Sequence, residues 1–337
     1  LVLDPFCGSG TTGVEAMLLG RRSLLSDINK TCIFIADAKL SAFTDPSICN
    51  CLEKMTSELI FESLCRTNRT GISGESSDAE LELWFHSDTL MQLRYIWQII
   101  ENVAQPAARK VAQLIFFDTL FDCASTGGAR TSTGGKRRHH WGWIADNVRP
   151  NFFLKHNAIR QFCQHLNRAL DVLMVLSPNH HPIHNSYIQR GDARSLAIKE
   201  ASVDLIVSSP PYIGMIDYAL ANRLIYLWMG WKLDDDKYFE IGSRSKRKRK
   251  NALNEYLSDM NTAINQMAMV LKPGGFCAII LGESRKFAGA TEAILKIFEE
   301  HMIKIWGPIQ RTPIRRRISE RAGTQQGESI CVFQKAQ

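Results

Sequence analysis

The feature that most restricts how this chain can fold is its opening, an apolar segment that runs straight into a glycine-rich turn. Leu1-Val-Leu-Asp4 reads as a short buried strand, Asp4-Pro-Phe-Cys-Gly-Ser-Gly-Thr-Thr-Gly13 as the turn, and Thr12 to Leu19 as a helix closed by Gly20. Ser23-Leu-Leu-Ser-Asp27 follows as a second strand. Thr31 to Phe43 follows as a second helix, with apolar residues at Ile33, Ile35, Ala36 and Leu40. Strand, helix, strand, helix is the order of a parallel sheet with helices on its faces. The turn is a small-molecule cradle, because its glycines admit a ligand to the backbone and the helix start offers N–H groups. Asp27 ends the second strand, where a carboxylate accepts hydrogen bonds from ribose hydroxyls.

The Gly8-x-Gly10-x-x-Gly13 spacing leaves two ligands open, a nicotinamide dinucleotide and S-adenosylmethionine. A phosphate-gripping NTPase loop is disfavoured, since no Lys-Ser or Lys-Thr follows the glycines. Between about Asp45 and Ser186 the rhythm turns helical, with patterns at Leu52–Leu64, Leu90–Val103, Ala107–Phe121 and Asn157–Leu176. Ser125 to Gly135 reads as a mobile Gly/Ser/Thr loop. Strand patterns resume at Ile188–Asp192 and Val203–Ser208. A helix at Asn251–Val270 and a Pro273-Gly-Gly275 turn lead to further strands at Phe276–Leu281, Ile303–Trp306 and Ile330–Phe333. The expected fold is α/β, a doubly wound sheet of about seven strands built by residues 1–45 and 186–337, with a mostly helical insertion at 46–185.

Composition narrows the function classes. No apolar run is long enough to cross a bilayer and no signal-peptide order opens the chain, so the expectation is a cytoplasmic protein without a membrane partner. Nine cysteines without paired spacing predict reduced thiols. Cys49 and Cys51, and the His180, His181, His184 group, lack the partners of a metal centre, so no metal is expected. The net charge of +7 is clustered: Lys136-Arg137-Arg138, the run Arg244, Lys246, Arg247, Lys248, Arg249, Lys250, and Arg311, Arg315, Arg316, Arg317 and Arg321. One such run is ordinary solvated surface, whereas three in one chain point to a nucleic-acid backbone. The first two are the expected phosphate contacts, and the helical insertion is a candidate DNA-recognition region.

The discriminating motif is Ser209-Pro-Pro-Tyr212, directly after the strand ending at Ser208. Two prolines stiffen the chain and remove two donors, which leaves carbonyl acceptors and the Ser209 hydroxyl at the carboxyl edge of a parallel strand, where open α/β sheets bind ligands. Tyr212 adds a flat face for a base. Taken alone the motif is as well explained by a proline turn with a core tyrosine. Paired with Asp4-Pro-Phe-Cys-Gly-Ser-Gly-Thr-Thr12, it resembles the DNA amino-methyltransferases, the N4-cytosine and N6-adenine enzymes.

That resemblance covers about residues 1–45 and 186–335. It implies that Asp4, Pro5, Phe6, Gly8, Gly10, Thr11, Asp27 and Asp192 hold S-adenosylmethionine, and that Ser209, Pro210, Pro211 and Tyr212 hold a target amine flipped from duplex DNA. Gly191-Asp-Ala-Arg-Ser-Leu196 looks like the segment whose acid meets the cofactor's adenine, and Leu271-Lys-Pro-Gly-Gly275 like a turn common in methyltransferase folds. Ser-Pro-Pro-Tyr resembles the cytosine enzymes more than the adenine ones, so N4 of cytosine is the favoured target, in a DNA modification setting of the restriction-modification kind. Two departures stand out. The insertion follows the second strand, and the chain opens inside the cofactor motif, so a cofactor-covering helix is expected from a missing N-terminal segment or a partner chain. The rival expectations are an N6-adenine enzyme, an RNA base methyltransferase, a nicotinamide-dependent dehydrogenase, and a non-catalytic DNA-binding protein.

Overall fold

Seven strands form one sheet: β1 (Val2–Asp4), β2 (Ser23–Asp27), β3 (Ser186–Arg190), β4 (Val203–Ser208), β5 (Leu271–Ser284), β6 (Ile303–Arg311) and β7 (Gln325–Gln334). Their spatial order is β3-β2-β1-β4-β5-β7-β6. The first five are mutually parallel, and β7 runs antiparallel to both β5 and β6. The computed structural model describes residues 1–43, 45–65, 78–124, 144, 149–150, 153–176, 186–311 and 325–337. The expected doubly wound α/β sheet is therefore the observed one.

The described helices are α1 (Thr11–Leu18), α2 (Lys30–Ser41), α3 (Ser47–Cys65), α4 (Asp78–Leu81), α5 (Ser87–Glu101), α6 (Pro106–Cys123), α7 (Ala158–Leu176), α8 (Tyr218–Ala221), α9 (Arg223–Trp228), α10 (Asp234–Lys237), α11 (Ala252–Val270) and α12 (Ala290–His301). They fall into two compact units. The first holds Leu1–Ala36, Ile183–Tyr218 and Asp234–Gln337, and the second holds Asp37–Pro182 and Ala219–Leu233. None of the described helices is long and apolar enough to cross a membrane.

In the sheet unit the core follows the two periods the sequence carries. Cys277, Ile279 and Leu281 alternate inward along β5, and Met260, Ile264 and Met267 recur at helical spacing along α11. Phe298 of α12 stacks on Phe333 of β7 with ring centres 4.9 Å apart. Fully burying side chains of this kind is worth about 1.5–3 kcal/mol each, which is what holds the helical layer on the sheet. The Ile294 and Phe298 spacing of α12 is a helical signal that a strand-centred reading of this region passes over.

The expected turn at Pro273-Gly-Gly275 lies inside β5 instead. Val203 pairs with Leu271, but Leu205 pairs with Phe276, so the extra residues are absorbed as a bulge between two continuous stretches of ladder. Exchange with Lys335 supplies the bulge with partners: Gly274 N–H donates to the Lys335 carbonyl at 3.0 Å and Lys335 N–H to the Gly275 carbonyl at 3.0 Å. A turn composition has thus been used to bend a strand.

The second unit is helical and closes around aromatic side chains. Phe116 of α6 sits 5.0 Å from Trp97 of α5, 6.4 Å from Phe162 of α7 and 4.8 Å from Trp228 of α9. Trp228 explains why this unit takes Ala219–Leu233 as well as the stretch beginning at Asp37, boundaries that differ from 46–185. Along α7, Phe162, Leu166, Leu170 and Leu173 are buried at spacings of three and four.

Candidate active site

The carboxyl ends of β1 and β4 lie side by side at the middle of the sheet. From β1 the chain leads away to β2 on one side, and from β4 to β5 on the other, so a crevice opens where the two paths part. Both sequence motifs begin there. The glycine turn leaves β1, and Ser209-Pro-Pro-Tyr212 leaves β4.

In the turn, Gly10 is the N-cap of α1 with φ 78°. A Cβ at this position would lie 2.7 Å from the Cβ of Ala36, so glycine is required both for the left-handed backbone and for seating α1 on α2. The turn is tied to β2 through its backbone: Cys7 N–H donates to the Ser26 carbonyl at 3.0 Å, and Gly8 N–H to Asp27 Oδ2 at 2.9 Å. Asn29 N–H donates to Asp27 Oδ1, also at 2.9 Å. Burial pushes the Asp27 carboxyl up to about 6, against the pull of these two N–H donors and with the negative charges of Asp4 and Asp236 adding to the rise. At neutral pH it is largely a carboxylate, with acceptor capacity beyond the two bonds it has.

Asp4, expected among the cofactor contacts, is buried and its carboxylate is engaged by the protein. Oδ1 accepts from Ser208 Oγ at 2.6 Å and from Phe6 N–H at 3.2 Å, and Oδ2 accepts from Thr12 Oγ1 at 2.7 Å. Burial raises its carboxyl, and the three donors oppose the rise. One side chain thereby fixes the end of β4, the turn and the first turn of α1 with respect to one another. Asp4 positions both motifs.

A cavity of about 850 Å³ runs along this edge, a size suited to a small-molecule ligand. It is lined by Pro5, Phe6, Gly8 and Thr11 of the turn, by Asp27, Ile28 and Asn29, by Gly191, Asp192 and Ala193, and by Ser209 and Pro211. Asp192 reaches the cavity already paired. Arg194 binds it through Nε at 3.0 and 3.1 Å and through Nη2 at 2.6 Å, while Arg194 Nη1 holds Asp259 at 2.8 Å. Burial works against the charged form of Asp192, but the bonds from Arg194 outweigh it and hold the carboxyl below the usual range.

Sequence reasoning missed Phe239, Glu240 and Ile241, which line the same cavity. Glu240 is buried and accepts from the Tyr218 N–H at 3.2 Å. These residues carry no motif, since they follow the short helix α10 and reach the site through tertiary packing alone. Cys7 and Cys32 also face the cavity, and burial, with the charge of Asp27 next, pushes both thiols well up. Such thiols are packing groups rather than nucleophiles.

At the second motif, Pro210 is buried, and Tyr256 Oη donates to the Pro211 carbonyl at 3.1 Å. Ser209 is exposed to the cavity, and its Oγ lies 3.0 Å from Tyr212 Oη. One face of the Tyr212 ring rests on Gly282 of β5 so closely that a Cβ there would come within 2.2 Å of the ring. Tyr212 Oη also reaches Glu328 Oε1 at 3.4 Å. Burial, with Glu328 nearby, pushes the phenol up to about 12. Asp217, a few residues on, is buried and accepts the Ser245 N–H at 2.8 Å, while Tyr218 lines the cavity.

Of the basic residues, Lys136, Arg137 and Arg138 lie outside the described residues, as do Arg315, Arg316, Arg317 and Arg321, the histidine group and the Ser125–Gly135 loop. The run at Arg244–Lys250 is described, and Arg244–Lys248 forms a short 3-10 turn. Lys246 is turned inward, donating to the Glu240 carbonyl at 2.6 Å and the Tyr238 carbonyl at 3.2 Å, and burial lowers its ammonium. Arg249 pairs with Glu255 at 3.0 Å, and Lys248 and Lys250 are exposed. Arg244 and Arg247 are half-buried.

Residues 1–37 match the model of the DNA methylase family. No curated protein matches the chain. Among solved structures, an S-adenosylmethionine-dependent methyltransferase from Methanosarcina mazei aligns over 99% of this chain and 92% of its own at 10% identity and a TM-score of 0.36. A candidate DNA modification methylase from Thermus thermophilus aligns over 44% of this chain and 52% of its own, at 20% identity and a TM-score of 0.26. An rRNA methyltransferase, AviRa from Streptomyces viridochromogenes, aligns over 99% and 75% at 11% identity and a TM-score of 0.29.

Proposed function

We propose, from the match of residues 1–37 to the model of the DNA methylase family, that the chain is an S-adenosylmethionine-dependent DNA amino-methyltransferase. The observation that carries the reading is the sharing of one cavity by the glycine turn, Asp27 and Ser209. Group transfer needs a cofactor cradle and a target-amine motif at one place, and the shared cavity supports that assignment of the two segments.

The residues present fit S-adenosylmethionine better than a dinucleotide. Asp27 keeps acceptor capacity for two ribose hydroxyls, and Phe6, Ile28, Phe239 and Ile241 supply apolar surface for a purine and a thioether chain. Among the described residues, Asp4, Glu15, Asp27, Asp192 and Glu240 line the cavity against a single basic residue, Arg21. That balance favours a cationic ligand and disfavours a pyrophosphate.

When bound, S-adenosylmethionine would be held by the glycine turn and Asp27 and would supply an electrophilic methyl to the amine nitrogen, whose surplus proton would pass to water. The chain's part is positioning. An exocyclic amine delocalises its lone pair into the ring, and acceptors at the Ser209 hydroxyl and the Pro210 carbonyl draw its N–H groups so that the lone pair is left pointing at the methyl. Asp4 keeps those acceptors in register with the cradle through Ser208 and Thr12. Tyr212 offers the ring face away from Gly282 to a base flipped out of duplex DNA. The target we favour is N4 of cytosine, on the serine of Ser209-Pro-Pro-Tyr212, and exposed Lys248 and Lys250 meet phosphates. Calorimetry with S-adenosylhomocysteine, followed by transfer of a labelled methyl group to DNA, tests the reading. Binding of a nicotinamide dinucleotide in place of the sulfur compound overturns it.

A further inference from the structure

The antiparallel register of β7 places Glu328 opposite Gly282 of β5 on one side and opposite Arg311 of β6 on the other. Gly282 lies under the Tyr212 ring, so the Glu328 side chain, 12% exposed, comes to the ring's hydroxyl end. Its Oε1 stands 3.4 Å from Tyr212 Oη, and its Oε2 stands 3.2 Å from Arg311 Nε. With Ser209 Oγ 3.0 Å from Tyr212 Oη, the four side chains form a line from Arg311 through Glu328 and Tyr212 to the cavity.

The line has a direction. A guanidinium only donates and a carboxylate only accepts. Tyr212 O–H therefore donates to Glu328, and the tyrosine oxygen accepts the Ser209 O–H. With its proton turned away from the cavity, Ser209 presents lone pairs to whatever lies in front of it. We infer that Glu328 is a positioning residue that fixes Ser209 as an acceptor for the N–H of the target amine, an inference that rests on the methyltransferase reading above.

Glu328→Gln tests the direction of the line rather than its presence. The positive charge of Arg311, in ion-pair contact with Oε2, repels an amide NH2, so the amide oxygen takes that side and the NH2 faces Tyr212. It then donates to the tyrosine oxygen, Tyr212 donates to Ser209, and the Ser209 proton points at the amine. The isosteric change is thus expected to be worse than Glu328→Ala, which leaves the Tyr212 hydroxyl to water. With a labelled cofactor and unmodified genomic DNA, kcat should fall about tenfold or more in Glu328→Gln and less in Glu328→Ala, with cofactor KM within about twofold of the parent. In a Tyr212→Phe background Glu328→Gln should add nothing, because the line is already cut.

A binding readout needs no turnover. With S-adenosylhomocysteine present, the preference for oligo-dC over oligo-dU, or for oligo-dA over oligo-dI, should narrow in Glu328→Gln, because a donating serine suits a carbonyl instead of an amine. With an active parent, Glu328→Ala slower than Glu328→Gln, or a preference in Glu328→Gln equal to the parent's, overturns the inference alone. A parent chain that transfers no methyl group overturns the methyltransferase reading and the inference with it.

Discussion

Gly282→Ala adds one methyl group to a strand, yet its effect should be felt at the target site. The added Cβ would meet Tyr212 Cδ2 and Cε2 at 2.2 Å, and carbon atoms of this kind do not approach within 3.0 Å. The ring has to retreat by at least the difference, 3.0 − 2.2, or about 0.8 Å. Its hydroxyl is held at 3.0 Å from Ser209 and 3.4 Å from Glu328, so a shift of that size moves it out of hydrogen-bonding reach of at least one. Overpacking costs about 1–3 kcal/mol, of which roughly 0.5–1 kcal/mol returns because alanine suits a strand interior better than glycine. The fold should survive. A misplacement near 1 Å at a group that orients a reactant costs roughly a hundredfold in rate. The assay is methyl transfer to DNA alongside calorimetry of S-adenosylhomocysteine. The expected result is a rate about a hundredfold lower, affinity within about twofold, and thermal unfolding lowered by a few degrees. A variant as active as the parent would show that Tyr212 does not hold Ser209 for the reaction.

Cofactor affinity should fall as pH drops below about 6, because Asp27, raised by burial, takes up a proton there and offers the ribose hydroxyls a weaker, neutral acceptor. The same shift gives a stability contribution that is full below the unfolded value of 3.8 and lost as pH rises through about 6, so calorimetry at several pH values, set against thermal unfolding, separates the two effects. Asp4→Ala should cost roughly 1–3 kcal/mol in urea unfolding by leaving the buried Ser208 hydroxyl without its acceptor and Thr12 with only the Val207 carbonyl at 3.4 Å; a loss under about 0.5 kcal/mol would refute the positioning role of Asp4. Replacing Lys248, Arg249 and Lys250 together by alanine should flatten the slope of log affinity for DNA against log salt by about 0.9 for each phosphate no longer neutralised. Lys246→Ala should instead lower stability, since its ammonium holds two carbonyls, and an equal salt effect from both variants would count against this division.

Much of the site was legible because its residues are consecutive. The glycine turn, Asp27 and Ser209 to Tyr212 announce themselves through backbone demands that are local: a left-handed N-cap, a strand end, a pair of prolines. The sheet was legible for the same reason, as hydrophobic runs of strand length separated by helices. What stayed hidden depends on contacts between distant segments. Nothing in Phe239-Glu-Ile241 says that it faces Asp27, and nothing in Gly282 or Glu328 says that strand register will set them around Tyr212. Asp4 was legible as part of the motif but not in its role, because Ser208 lies 204 residues away in sequence. Lys246 shows the converse limit: within a basic run its composition points outward, while its ammonium is bound to backbone inside.

In the proposed function this cavity moves a methyl group from S-adenosylmethionine to an amine of a DNA base. The most direct test is mass spectrometry of nucleosides from unmodified genomic DNA incubated with the chain and cofactor carrying a deuterated methyl group, with Ser209→Ala as control. The expected product is deuterated N4-methylcytosine from the parent, with strong loss of it from the variant. Deuterated N6-methyladenine would change the target and leave the amino-methyltransferase reading in place. DNA free of deuterated bases, from a chain that calorimetry shows to be loaded with cofactor, would contradict it.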